Sequence, residues 1–207
     1  MAAILARSAQ AHDFGIYHRE MGEMALPALP GVRSRVPIGT IVVLACWAVC
    51  TALYHLGATG LFPAVRRDPE SLMAGQVWRL VSPVLVQPDP WSVVIGLGVT
   101  AALVGTVAER TFGTGRFLGL FALGALAGHG IGELWQPYSG GISVAFCGPL
   151  GALAVYVLMA RIRRFYLTAA IVLVGAVVLS AITDIHGPPI LAGAVVGFFL
   201  RPRPRRP

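Results

Sequence analysis

Apolar residues in this chain fall in long unbroken runs, without the polar face of an amphipathic helix or the alternation of a half-buried strand. Six such runs stand at about residues 37–57, 91–108, 116–135, 142–160, 165–183 and 187–200, each bounded by arginine, proline, glycine or acidic residues. A helix rises about 1.5 Å per residue, so about 20 apolar residues cross a hydrocarbon layer about 30 Å thick. The pattern predicts an all-α, polytopic membrane protein of six spans, the last of them short at 14 residues.

The segments outside the runs divide the chain further. Residues 1–35 carry Arg, His and Glu with no compact apolar stretch, so they read as a loose cytoplasmic tail and not as a cleaved signal peptide. The six-span domain occupies 36–200, and "RPRPRRP" at 201–207 forms a basic cytoplasmic tail. Residues 59–90 form the longest link. They hold "VRRDPE", "GQVWRLVSPVLVQ" and "PDPW", a mix of tryptophan, proline and charge suited to a structured loop in the outer interface. Trp135 and Tyr138 fit the same aromatic belt.

Composition strengthens the membrane assignment. Only 12% of residues are charged, against about 25% in soluble domains, and mean hydropathy is +0.74. Every basic side chain apart from histidine is an arginine, and there is no asparagine. Most of the arginines group at alternate links: Arg7, Arg19, Arg33 and Arg35, then Arg110 and Arg116, then Arg161, Arg163 and Arg164, then the C-terminal four. Arg66, Arg67 and Arg79 alone fall on the other side. The positive-inside rule therefore puts both termini in the cytoplasm, as an even number of spans requires. A multi-pass protein of the plasma membrane is expected, with the lipid bilayer as its first partner. The net charge of +7 is a topology and headgroup signal. Nucleic acid is excluded, because no basic soluble surface is present. Cys46, Cys50 and Cys147 have no metal-ligand spacing and read as small packing residues.

Within the third run, "GLFALGALAGHGIGELW" repeats glycine every four residues at Gly124, Gly128 and Gly132. Gly193 and Gly197 do the same in the last run, and such faces let helices approach closely in lipid. Polar side chains at membrane depth are few: His129, Glu133, Ser143, Asp184 and His186, with Glu109 at the inner edge. They are functional candidates because charge is costly in hydrocarbon. A transporter would add duplicated halves or paired broken helices, and neither is seen.

Three stretches in order carry a resemblance. "GQVWRLVSP" supplies Trp78 and Arg79; "GTVAERTFGTGRFLGLF" supplies Gly105, Glu109, Arg110 and Gly113; "GISVAFCGPLGA" supplies Gly141, Ser143 and Gly148. Over residues 75 to 200 these resemble the rhomboid family of intramembrane serine proteases. The resemblance implies a Ser-His dyad without metal or cofactor, and a transmembrane helix as substrate or client. Ser143 takes the nucleophile's place, and a histidine of the sixth span takes the base's.

Two registers compete for that histidine. In "HGPPILAGAVVG" the first keeps His186, Ala192 and Gly193 in the family's places; the second uses Gly193 and Gly197 as its glycines and puts Ile190 where the histidine belongs. Helical rise puts Ser143 roughly 27 Å above Arg161, His186 roughly 22 Å above Arg201, and Ile190 only about 16 Å above it. Depth favours His186.

The sequence also departs from the family. Val93 and Leu97 occupy the second-span positions of a histidine and asparagine that hold the oxyanion, a contribution of about 10² to 10³ in rate per donor. Val144 replaces a glycine and is expected to crowd the site, and Cys147 replaces an aromatic residue. Pro188 and Pro189 stand for two glycines, and Pro188 biases Gly187 away from helical geometry. Two functions follow from the resemblance: a protease using Ser143 and His186, or an inactive relative that binds transmembrane helices without cutting them.

Overall fold

The computed structural model describes residues 36–200; the tails expected at 1–35 and 201–207 lie outside the described residues. Among the described residues the chain forms eight α-helices, and its only β-type pairing is an isolated bridge between Arg67 and Ser139. The helices are α1 (Ile38–His55), α2 (Leu61–Val65), α3 (Pro69–Met73), α4 (Trp91–Phe112), α5 (Thr114–Trp135), α6 (Ser143–Met159), α7 (Tyr166–Ala181) and α8 (Gly187–Phe199). Short 3₁₀ turns at Val77–Leu80, Ser82–Leu85 and Arg163–Phe165 complete the elements. The chain is an all-α, multi-pass integral membrane protein.

Among the described residues, four helical stretches are long and apolar enough to cross a membrane: Ile38–His55, Trp91–Phe112, Thr114–Trp135 and Arg163–Ala181. The other two apolar helices, α6 and α8, have 17 and 13 residues. The sequence pattern thus locates all six apolar helices, and the fold separates four long ones from two short ones.

α6 is the central helix and packs against α4, α5, α7 and α8. It has no polar face, and nearly every residue from Val144 to Val157 is buried, as suits a helix enclosed by others. Backbone-to-backbone contact permits this. A Cβ on Gly193 would stand 2.7 Å from the carbonyl carbon of Gly148, and one on Gly148 would overlap the carbonyl oxygen of Leu120. Gly197 meets Ala152 in the same way. The glycines therefore set the spacing of α5, α6 and α8. Apolar residues on the outer helices, such as Val49, Ile95, Ile171 and Val174, face outward, as lipid-facing positions do.

α4 runs through Phe112, past the inner edge that Glu109 and Arg110 mark in sequence. Charge at Glu109 does not end the helix because it is met there. Its carboxylate accepts the N–H groups of Gly39 at 2.9 Å and Thr40 at 2.7 Å, and the hydroxyls of Thr40 at 2.8 Å and Thr114 at 2.7 Å. Those N–H groups belong to the first turn of α1, whose donors have no helical partner. Glu109 therefore caps α1 and ties it to the start of α5. Gly105, one turn earlier, is close to Thr40 and Phe146: a Cβ there would lie 2.7 and 2.8 Å from them. Arg110 is half-buried.

The link between α1 and α4 is structured. Arg79 is its hub, donating to the carbonyls of Pro63 at 2.9 Å and Arg66 at 2.7 Å and to Gln76 Oε1 at 2.7 Å, with Asp68 at 3.6 Å. Asp68 caps α3 by accepting the Ser71 N–H at 3.1 Å. These bonds hold its carboxyl below the usual aspartate range, the Ser71 N–H contributing most. The neighbouring Trp78 is 57% exposed.

Candidate active site

Ser143 is the first residue of α6, and the chain entering it is pinned by the 82–87 stretch. The Gly141 N–H donates to the Pro83 carbonyl at 2.7 Å, and the Ile142 N–H donates to Gln87 Oε1 at 3.2 Å. Gln87 is itself held by the Thr51 hydroxyl, which accepts its N–H at 3.1 Å. Gly141 has φ +131, a conformation that L side chains rarely adopt, and Gln87 fills the space a Cβ would need. Earlier in the link, Arg67 is fully buried. It donates to the His129 carbonyl at 3.1 Å and to that of Gln136, lies 3.3 Å from Glu133, and pairs its backbone N–H with Ser139 O at 3.0 Å. Arg67 thus ties the end of α5 and the approach to Ser143 to the α1–α4 link.

His186 is set by a turn at the end of α7. Thr183 adopts a left-handed backbone at φ 58. The Asp184 N–H donates to Leu179 O at 2.8 Å and the Thr183 N–H to Ser180 O at 3.2 Å, the pair of bonds that closes a helix in a Schellman turn. His186 then takes the N-cap position of α8 without a side-chain cap bond, and the first turn of that helix contains Pro188 and Pro189. Prolines are tolerated there because first-turn N–H groups have no helical partner. The bias that Pro188 places on Gly187 is overcome for a different reason: glycine has no Cβ to meet the proline ring, and Gly187 is the first helical residue.

Ser143 Oγ and His186 Nε2 lie 2.9 Å apart, bridging α6 and α8. On the other side of the imidazole, Nδ1 is 2.7 Å from Asp184 Oδ1, which also accepts the His186 backbone N–H at 2.9 Å. Burial acts to raise the Asp184 pKa, but the bonds from the His186 backbone and ring outweigh it and hold the carboxyl below its ordinary range. The His186 and Asp184 side chains are 36% and 32% exposed, so the group is open on one side.

The remaining candidates fall elsewhere. Ile190, the rival to His186, is buried beside Cys147 and Ala176. Val93 is exposed and Leu97 half-buried, and neither brings a polar group. Val144 is 1% exposed and packs toward Gly128, where a Cβ would come within 2.9 Å of it. Its branched side chain therefore occupies space left by the glycine face of α5. His129 faces Arg67 through Nδ1 at 3.2 Å, and Glu133 pairs with the same arginine, so both belong to the anchor of the link. Arg67 was not singled out by its sequence, although its place against the positive-inside pattern marks it. Asp184 was legible as a polar residue at depth; its bond to His186 was not.

The family model for the Rhomboid domain matches residues 74–202. The chain is also 32% identical over 142 residues to the rhomboid protease GluP of Bacillus subtilis (strain 168), an alignment covering 62% of this chain and 26% of that protein. The aligned part spans about a quarter of that relative's length.

Proposed function

The chain belongs to the rhomboid family, and from that premise we propose that it is an intramembrane serine protease acting through Ser143 and His186. The observation that carries this reading is the 2.9 Å separation of Ser143 Oγ from His186 Nε2, within the reach that general-base catalysis requires. The similarity to a protein named as a rhomboid protease supports it.

In the proposed reaction the Ser143 hydroxyl passes its proton to His186 Nε2 as Oγ bonds to the carbonyl carbon of a peptide bond in a transmembrane substrate. The imidazolium then gives that proton to the leaving nitrogen as the C–N bond breaks, leaving an acyl ester on Ser143. Water attacks the ester carbon and loses a proton to His186, which returns it to Oγ as the ester bond breaks. At the start of α6 the Ser143 and Val144 N–H groups precede the first turn's bond, from the Ala145 N–H to Ile142 O at 3.2 Å, and Ile142 offers no side-chain cap. The backbone N–H of Ser143 is the proposed donor to the developing oxyanion. With Val93 and Leu97 in place of side-chain donors, turnover is expected to be slower by about 10² to 10³ for each donor missing.

The arginine distribution supports both termini in the cytoplasm, and a plasma-membrane location is proposed. A transmembrane helix, locally unwound, is the proposed substrate.

The test is labelling of the purified protein in detergent with a fluorophosphonate probe, comparing wild type with Ser143→Ala and His186→Ala. Labelling in the wild type that disappears in both variants is the expected result. No labelling of the wild type, beside a labelled active rhomboid, favours the alternative that the absent second-span pair supports: an inactive relative that binds transmembrane helices without cutting them.

A further inference from the structure

We propose that Asp184 is a positioning residue for catalysis, fixing the tautomer and orientation of His186 so that the site works as an Asp184–His186–Ser143 array; this rests on the proteolytic reading above. The argument begins with donor and acceptor inventory. A carboxylate only accepts hydrogen bonds. Asp184 Oδ1 lies 2.7 Å from His186 Nδ1 and 2.9 Å from the His186 backbone nitrogen, so in the neutral ring the proton sits on Nδ1. Nε2 then presents its lone pair to the Ser143 hydroxyl 2.9 Å away. That is the tautomer a general base needs, and the carboxylate also faces the imidazolium formed when the proton is taken.

Local chain geometry supports this role. Asp184 and His186 are two residues apart and share one oxygen for both the backbone and the ring, so acid and base are held by the same turn. That turn is fixed by the Asp184 N–H bond to Leu179 O at 2.8 Å and by the left-handed backbone of Thr183. Glycine is the usual residue there, and a β-branched one is an outlier. The carboxylate is 32% exposed, so water weakens its effect relative to a buried acid.

A purely structural role would be confined to the backbone bond that shapes the turn. Asp184→Asn separates the two, because an amide oxygen still accepts the His186 N–H while the negative charge facing the imidazolium is lost. The full-length protein in detergent is assayed with dye-labelled casein as an unfolded-chain substrate, alongside fluorophosphonate labelling and thermal unfolding. Asp184→Asn is expected to lower kcat about 10- to 100-fold, short of the about 10⁴-fold seen for a buried triad acid. KM should stay within about twofold, and the unfolding midpoint should be retained. Asp184→Glu, which restores a carboxylate, should recover part of the loss. An active wild type whose kcat stays within about twofold both in Asp184→Asn and in Asp184→Leu, which offers the ring no acceptor, overturns the positioning role and leaves the protease intact. Equal losses in the Asn and Glu variants, accompanied by a lower midpoint, assign Asp184 to the turn alone and also overturn it. A wild type that neither labels nor cleaves overturns the proposed function and this role together.

Discussion

Replacing Glu109 with glutamine tests whether a single carboxylate holds the ends of three helices together. Oε1 accepts the Gly39 N–H at 2.9 Å and the Thr114 hydroxyl at 2.7 Å; Oε2 accepts the Thr40 N–H at 2.7 Å and the Thr40 hydroxyl at 2.8 Å. An amide keeps one acceptor oxygen and turns the other into a donor. The threonine hydroxyls can rotate to suit, but a backbone N–H cannot. Whichever way the amide is flipped, either Gly39 or Thr40 faces a donor in a buried site. A buried donor left without an acceptor costs about 1–3 kcal/mol, and the surviving bonds lose their charge assistance, roughly 1 kcal/mol more. The expected loss is therefore about 2–4 kcal/mol, a fall in unfolding midpoint of about 5–15 °C for a chain of this size. Thermal unfolding of Glu109→Gln, Thr114→Val and the double variant reads this directly. Thr114→Val alone should cost about 1 kcal/mol, and the double variant should cost less than the sum because both changes act on one network. A Glu109→Gln midpoint within about 1 °C of wild type would refute the clamp.

Two further outcomes follow from the geometry. Gly193→Ala places a Cβ 2.7 Å from backbone atoms of Gly148, which cannot move aside as a side chain can; α6 and α8 must part, costing about 1–3 kcal/mol in thermal unfolding and reducing Ser143 labelling. Gly119→Ala, where nothing lies within 4 Å of the added methyl, is the control and should be neutral or slightly stabilising. Asp68, whose carboxyl is held below the usual range by its Ser71 bonds, contributes stability that is present above about pH 4 and is lost as pH falls through its lowered folded value. The difference in midpoint between wild type and Asp68→Ala should therefore shrink under acid; a difference that stays constant to pH 3 would contradict it.

The apolar helices were legible because a backbone in hydrocarbon must satisfy its own hydrogen bonds, so a long apolar run has one outcome. Their ends were less so. Glu109 reads as a boundary but lies inside α4, since the donors that meet it come from α1, far away in sequence. The glycine repeats announced close approach, and Gly124, Gly193 and Gly197 make it. Val144 illustrates the opposite case. A branched residue in place of glycine predicted crowding near Ser143, yet the room for it is supplied by Gly128 on another helix. Asp184 was visible as a charge at depth, but its direction depends on the left-handed backbone of Thr183, which residue type argues against. Arg67 carried a usable signal. An arginine on the side where the charge pattern disfavours it calls for a specific partner, and it binds His129, Glu133 and three backbone groups of 129–137.

The lengths of α6 and α8 connect these features to the proposed chemistry. At 17 and 13 residues they span about 26 and 20 Å, less than the about 30 Å of hydrocarbon. A shortfall taken up at their starts puts those residues, and the irregular backbone at 136–142 and 182–186, below one face of the layer. Irregular backbone at that depth is tolerated only where protein encloses it or water reaches it. Protein does the first for the approach to Ser143: Pro83 and Gln87 take the N–H groups of Gly141 and Ile142, and Arg67 takes the carbonyls of Gln136 and Pro137. It does not close over His186 and Asp184, which remain about one-third exposed. A charged carboxylate beside an imidazole is costly facing lipid, so this opening must face water, and hydrolysis of an acyl ester on Ser143 needs that same water. The structured α1–α4 link thus has a physical task in the proposed reaction: it satisfies the backbone around the nucleophile while leaving the base and its carboxylate wet.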